Sequence, residues 1–170
     1  MDHTVTTRRA TTAEFEAALP LLERFFAEEG FQAPPGQIRR QLVGLLDDDG
    51  SAVFLAWLKE QPVGVATVTT TSGLELGLSA ELEDLYVLPE ARLIGVGGAL
   101  IEAVKDWCRA RGCTLVSVVV TPEGQAAHNL LDYYRGRGFV ETGRVLLFAH
   151  LEPREPEQPN RGIERRKDTR

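Results

Sequence analysis

A chain of 170 residues is long enough for one domain with its own core. Its 26% charged and 43% hydrophobic residues are those of an ordinary soluble globular protein, and a net charge of −6 removes the electrostatic case for nucleic-acid binding. No apolar run reaches membrane-spanning length and MDHTVTTRRATTAEF lacks the apolar core of a signal peptide, so no membrane association is expected and the cytoplasm is the default location. The three histidines (His3, His128, His150) have no metal-ligand spacing, and Cys108 and Cys113 read as small packed residues, so no metal is expected.

In chain order, Val5 to Arg9 suits an edge strand. Thr11 and Glu14 form a capping-box pattern that opens a helix to about Glu29, with Phe15, Ala18, Leu19, Leu22, Phe25 and Phe26 apolar. Pro20 interrupts it, and Gly30 follows as a stop. Gln37 to Leu46 reads as a second helix with Ile38, Leu42, Leu45 and Leu46 inward. The acidic turn Asp47–Asp48–Asp49–Gly50 is a solvated loop, with Asp47 a weaker candidate for attracting a cation. Strands are expected over Ala52–Leu58 and Val63–Thr71, joined by the hairpin loop 59–62. Gly64 signals a bulge or a close backbone approach. Residues 72–79 read as a looser connection.

The central stretch runs from Glu81 to Arg111. Leu82 to Val87 is a strand, stopped by Pro89. Gly95, Gly97 and Gly98 then lead into a helix whose Leu100, Ile101, Val104, Trp107 and Cys108 share one face. Strand, glycines and helix N-terminus in succession suit a phosphate group, because free N–H groups and the positive end of the helix dipole converge there. Arg92 adds a positive charge at the entrance. The dinucleotide fingerprint fails, because Leu100 stands where its third glycine or alanine belongs; the P-loop fails for want of Gly-Lys-Ser/Thr. After Gly112, Thr114–Val120 reads as a strand buried on both faces and Thr121–Gly124 as a turn. Gln125–Arg137 reads as a helix and Val145–Leu151 as a last strand. From 152 to 170 the proline-broken, charge-rich sequence reads as a disordered polar tail, which leaves one domain over 1–151.

The segment Arg92-x-x-Gly95-x-Gly97, after a strand ending Tyr-Val-x-Pro, resembles the acyl-CoA loop of the GCN5-related N-acetyltransferases, the GNAT superfamily. Tyr133-Tyr134-Arg135-Gly136-Arg137-Gly138-Phe139 resembles that family's closing signature, and the element order β-α-α-β-β-β-α-β-α-β is similar to its fold. The resemblance implies an α/β (α+β) domain: a mixed, mostly antiparallel central sheet with helices on both faces. It implies acetyl-CoA as co-substrate, gripped by backbone around Arg92, Leu93, Ile94, Gly95, Val96, Gly97, Gly98 and Ala99, with Leu93 and Ile94 departing from the usual glycine and polar residue. It implies that Leu85, Tyr86 and Val87 polarise the thioester carbonyl between two splayed strands. It implies Tyr134 as the general acid and Asn129 as a possible CoA contact, although the family's usual asparagine position is Ala127 here.

Glu81, Glu83 and Asp84 are candidate bases, and strand alternation sets Glu81 and Glu83 on one face and Asp84 on the other. Leu-Glu-Asp-Leu-Tyr-Val looks like diamine N-acetyltransferases, which favours Glu83 as base and leaves Asp84 to bind substrate. The expected reaction is acetyl transfer to a primary amine of a small cationic molecule. A protein N-terminus or lysine as acceptor, or an idle acyl-CoA-binding module, are the alternatives. A homodimer is possible, since dimers are frequent in the family.

Overall fold

The structure, a computed structural model, describes residues 4–151; the polar tail expected over 152–170 lies outside the described residues. The chain divides into two units, Met1–Val140 and Glu141–Arg170.

The first unit is built on a five-stranded sheet in the order β1-β2-β3-β4-β5, with β1 Val5–Arg9, β2 Ser51–Leu58, β3 Gln61–Gly73, β4 Gly77–Val87 and β5 Val116–Val118. The first four strands pair antiparallel and β5 runs parallel to β4. This is the mixed, mostly antiparallel sheet expected. Helices α1 (Phe15–Glu29) and α2 (Gln37–Asp47) cover one face, packing Ala18, Leu19, Leu22 and Leu42 on Val53, Leu55, Val65 and Tyr86. Helix α3 (Val96–Ala110) covers the other, packing Leu100, Ile101, Val104 and Cys108 on Ala52, Phe54, Ala66, Val68, Ala80 and Leu82. Two short helices, α4 (Pro122–His128) and α5 (Leu130–Arg135), follow β5.

The local signals are met where the chemistry is local. The Thr11–Glu14 capping box is complete, although it opens one 3-10 turn, Thr12–Glu14, before α1 begins. Gly30 ends α1 in the left-handed conformation, φ 71°. Gly64 meets both of its expectations. The β2–β3 register shifts beside it, and a Cβ there would sit 3.1 Å from the Tyr86 carbonyl oxygen and 3.0 Å from Leu100 Cδ1. It lets β3 approach both β4 and α3.

Other boundaries move. The first hairpin is tighter than expected, because Lys59 accepts φ 58° and releases Gln61 and Pro62 into β3. Residues 72–79 are not a loose connection: β3 and β4 stay paired out to Gly73↔Gly77. The strand expected over Thr114–Val120 shrinks to Val116–Val118, with Leu115 and Val119 exposed rather than buried on both faces. Its neighbour β4 pairs with it at Ala80, Glu81 and Leu82, and Thr114 still gives its N–H to the Leu78 carbonyl at 2.8 Å, so the ladder is lost on the Val119 side. Thr121 caps α4 with its hydroxyl and Pro122 opens it, so the expected turn is a helix start. Asn129, at φ 50°, breaks the single helix expected over Gln125–Arg137 in two.

In the second unit, Glu141–Leu151 has no helix or strand. The strand expected over Val145–Leu151 is therefore not formed, and Val145, Leu146, Leu147, Phe148 and Leu151 are exposed. High β-propensity alone does not make a strand; a neighbouring edge must take up its backbone groups.

Candidate active site

The site is organised by two irregularities of β4. The first is a bulge. Thr67 pairs with Asp84 and Val68 with Leu82, which leaves Glu83 as the extra residue. Leu82 still faces α3, and so does Leu85. Both residues between them turn to the α1–α2 face. The Thr67 hydroxyl donates to the Asp84 carboxylate at 2.5 Å, and the Thr69 hydroxyl, two residues along the same face, donates to Glu83 at 2.6 Å. Glu81, one residue before Leu82, shares that face. The expected division of Glu81 and Glu83 from Asp84 is thus corrected: the bulge collects all three carboxylates on one side. Burial pushes the Asp84 carboxyl above its usual range, against the pull of Thr67, and Glu83 adds to the rise. Burial and then the Glu83 charge raise Glu81 in the same way. Thr67 and Thr69, which hold the carboxylates, went unmarked in the sequence; their only signal was the i, i+2 spacing of hydroxyls in β3.

The second irregularity is the gap between β4 and β5. Their ladder ends at Leu82↔Val118, while β4 runs on to Val87. Leu88 gives its N–H to the Val63 carbonyl, on the β3 side. Alternation then points the Tyr86 backbone groups toward β3, and those of Leu85 and Val87 toward the gap. Of the three residues expected to polarise a carbonyl, Leu85 and Val87 therefore have N–H groups aimed at the opening and Tyr86 does not. The Tyr86 side chain lies on the other face, where its hydroxyl donates to Glu28 at 2.7 Å.

Helix α3 begins beside the end of β4. Its N-cap is Gly95, at φ 93°, which has no side chain to bond the first-turn N–H groups. The N–H groups of Val96, Gly97 and Gly98 precede the first one taken up inside the helix, that of Ala99, which bonds the Gly95 carbonyl at 3.0 Å. Ala99 therefore has no N–H to offer a ligand. Leu93 stands at φ 65°, a conformation glycine adopts without cost, and is fully exposed beside Ile94. Gly97 gives the Tyr133 side chain its place: a Cβ there would overlap the Tyr133 hydroxyl, so one of the two would have to shift.

Arg92 does not reach freely into this loop. Its Nη2 pairs with Glu28 at 3.0 Å and its Nε donates to the Val87 carbonyl at 2.9 Å. Asn129 is similarly engaged, accepting from Gln125 and donating to Asp132. Tyr134 is buried on the α3 side, edge-on to Tyr133 and Phe139, in the same cluster as Leu85, Val87 and Val118, which border the gap. Burial drives its phenol up to about 12, and the neighbouring Tyr133 adds to this. Among the described residues, no group of three or more His, Cys, Asp or Glu could hold a metal ion.

The chain matches the acetyltransferase (GNAT) family over residues 15–139. It is similar to the aminoglycoside N(6')-acetyltransferase type 1 of Stenotrophomonas maltophilia, 37% identical over 119 residues that make up 66% of this chain and 76% of that protein. The enzyme of the same name from Klebsiella aerogenes is 41% identical over 100 residues, 59% of either chain. Among solved structures, an integron cassette protein from the mobile metagenome of Cole Harbour Salt Marsh superposes with a TM-score of 0.75 at 28% identity, covering 87% of this chain and 91% of that one. An aminoglycoside N-acetyltransferase in complex with CoA has the same fold, with a TM-score of 0.75 at 23% identity over 88% of this chain and 97% of that one.

Proposed function

The chain belongs to the acetyltransferase (GNAT) family, and from that premise we propose that it moves the acetyl group of acetyl-CoA onto a primary amine of a small cationic molecule. The observation that carries this reading is the arrangement about the β4–β5 gap. Three carboxylates collect on one face of the sheet, a buried tyrosine sits on the other, and two backbone N–H groups open between them. The relatives are named as aminoglycoside N(6')-acetyltransferases, and an amino-sugar acceptor agrees with the carboxylate-lined face.

The backbone N–H groups of Val96, Gly97 and Gly98, with those of Leu93, Ile94 and Gly95 before them, would hold the diphosphate of the carrier. The carrier supplies an activated acyl carbon. The N–H groups of Leu85 and Val87 stabilise the thioester oxygen as it gains charge, the largest single contribution to be expected in acyl transfer. On the α1–α2 face Asp84 and Glu81 attract the ammonium group, and Glu83 accepts its proton through a water molecule. The freed amine nitrogen forms the C–N bond at the acyl carbon, and the C–S bond breaks with its electrons left on sulfur. Tyr134 gives its proton to that thiolate, and the second proton, which the nitrogen sheds on becoming an amide, passes through water to the phenolate and restores the phenol. A phenol raised to about 12 is fully protonated at neutral pH, so Tyr134 acts as acid and not as base.

Thiol release from acetyl-CoA, followed across polyamines, amino sugars, lysine derivatives and peptides, tests the reading. Release with a cationic small amine, with a mass gain of one acetyl group on that amine, is expected. Acetylation of peptides alone would replace the substrate class. Tight CoA binding with no release for any amine would remove the catalytic role.

A further inference from the structure

We propose that Glu28, near the end of helix α1, is a positioning residue for acetyl transfer: through Arg92 it fixes the last peptide group of β4 at the rim of the β4–β5 gap. The inference rests on the acetyl-transfer reading above. Neither Glu28 nor its link to the gap was visible in the sequence, since the partners that make the link, Tyr86 and Arg92, lie 58 and 64 residues away.

The chain of contacts is short. Glu28 accepts hydrogen bonds from Arg24 Nε at 3.0 Å, from the Tyr86 hydroxyl at 2.7 Å and from Arg92 Nη2 at 3.0 Å. The Tyr86 hydrogen bond, followed by the two arginines, holds its carboxyl below the usual range, so Glu28 is a carboxylate at neutral pH. Arg92 uses the adjacent Nε to donate to the Val87 carbonyl at 2.9 Å. The guanidinium is a rigid fork, so fixing Nη2 on Glu28 also fixes the direction of Nε.

The Val87 carbonyl and the Leu88 N–H belong to one peptide plane. Leu88 N–H is held by the Val63 carbonyl at 2.9 Å on the β3 side. Arg92 holds the opposite edge, where β5 no longer supplies a ladder partner. A strand end tied on one edge only would swing, and with it the Val87 N–H that the reaction uses. Helix α1 therefore reaches across to hold the thioester side of the gap, and Arg92 acts on β4 rather than as a free charge for the diphosphate.

Glu28→Gln keeps the shape and an acceptor for Tyr86 but removes the charge that holds Arg92; Arg92→Lys keeps a charge but removes the fork. With the best amine found by thiol release, each variant is expected to lower kcat about tenfold, with CoA affinity by calorimetry within about twofold of wild type. The double variant should be no slower than either single one, because both break one chain of contacts. An unchanged kcat in Glu28→Gln, losses that multiply in the double variant, or a fall confined to CoA affinity would overturn the proposal. Hydrogen exchange needs no acceptor: in the free protein both variants should speed exchange of the Leu88 amide about tenfold and leave the Val104 amide of α3 unchanged. Unchanged Leu88 exchange would overturn the proposal even if no amine is acetylated, whereas faster Leu88 exchange without any transfer by the wild type would sustain the contact and remove the acetyl-transfer reading.

Discussion

The hydroxyl of Thr67, wholly buried in β3, donates a 2.5 Å hydrogen bond to the carboxylate of Asp84 across the β-bulge of β4. That single bond does not offset the cost of removing the charge from water, since burial still raises the Asp84 carboxyl above its usual range. A group whose folded-state pKa is raised binds its proton more tightly in the folded chain, so an ionised Asp84 is a cost to stability at neutral pH. That cost is relieved as pH falls through the raised value and is gone below the unfolded value. Asp84→Asn, which keeps an oxygen for Thr67, should therefore melt higher than wild type at pH 7, and the two curves should converge near pH 3. Melting temperature against pH measures it; a variant less stable at pH 7 would show that the charge is held by more than Thr67.

Tyr134→Phe separates chemistry from packing. The ring lies edge-on to Tyr133 and Phe139, and phenylalanine fills the same space. Loss of the proton donor should lower kcat by about a hundredfold, the low end for a general acid, with CoA affinity unchanged within about twofold. In wild type the phenol, raised to about 12, should stay protonated throughout the working range, so any alkaline limb below about pH 10 should survive in the variant. Rate profiles of both proteins decide this; full activity in the phenylalanine variant would release Tyr134 from the mechanism.

Features fixed by a few neighbouring residues were legible in the sequence. The Thr11–Glu14 box, the Gly30 stop and the glycine-led start of α3 each follow from local backbone demands. The bulge at Glu83 left no mark, because an extra residue in a strand shows only against its partner, and it reversed the placement of Asp84. The fate of Arg92 was hidden for the same reason: a loop cation looks free until a helix from the other end of the domain is seen to hold it. Asn129 was legible as a polar residue near the closing motif, but its left-handed conformation, which splits the helix, was not: its side chain bonds Gln125 and Asp132 and makes no cap hydrogen bond, and only its backbone N–H closes α4 on the Gln125 carbonyl. Val145–Leu151 had the composition of a strand, which composition alone cannot complete.

Leu93 carries a backbone cost without a packing return. It holds φ 65° while its side chain is fully exposed. A left-handed conformation costs a residue with a Cβ about 1–2 kcal/mol, partly offset by the greater unfolded-state entropy of glycine. Leu93→Gly should thus be neutral to stabilising by up to about 1 kcal/mol on chemical denaturation. A loop that rests in this shape at lower cost should also bind CoA at least as tightly by calorimetry. A clear loss of stability would mean that the Leu93 side chain is covered in solution.

Gly97 and Tyr133 make the most specific test of how α3 meets α5. Alanine is ordinarily favoured over glycine inside a helix by about 1 kcal/mol. Here its methyl group would overlap the Tyr133 hydroxyl, and the ring is backed by the Arg137 guanidinium 3.6 Å from its centroid, so it has little room to retreat. Gly97→Ala should therefore be destabilising, by about 1–3 kcal/mol as for other overpacked sites. The remedy is equally specific. The Tyr133 Cζ lies 3.5 Å from the same Cβ position, an ordinary contact, so only the hydroxyl stands in the way. Adding Tyr133→Phe to Gly97→Ala should recover most of the loss on denaturation. Two independent, additive effects would instead show that the glycine is needed for the backbone of the loop and not for the tyrosine that packs on it.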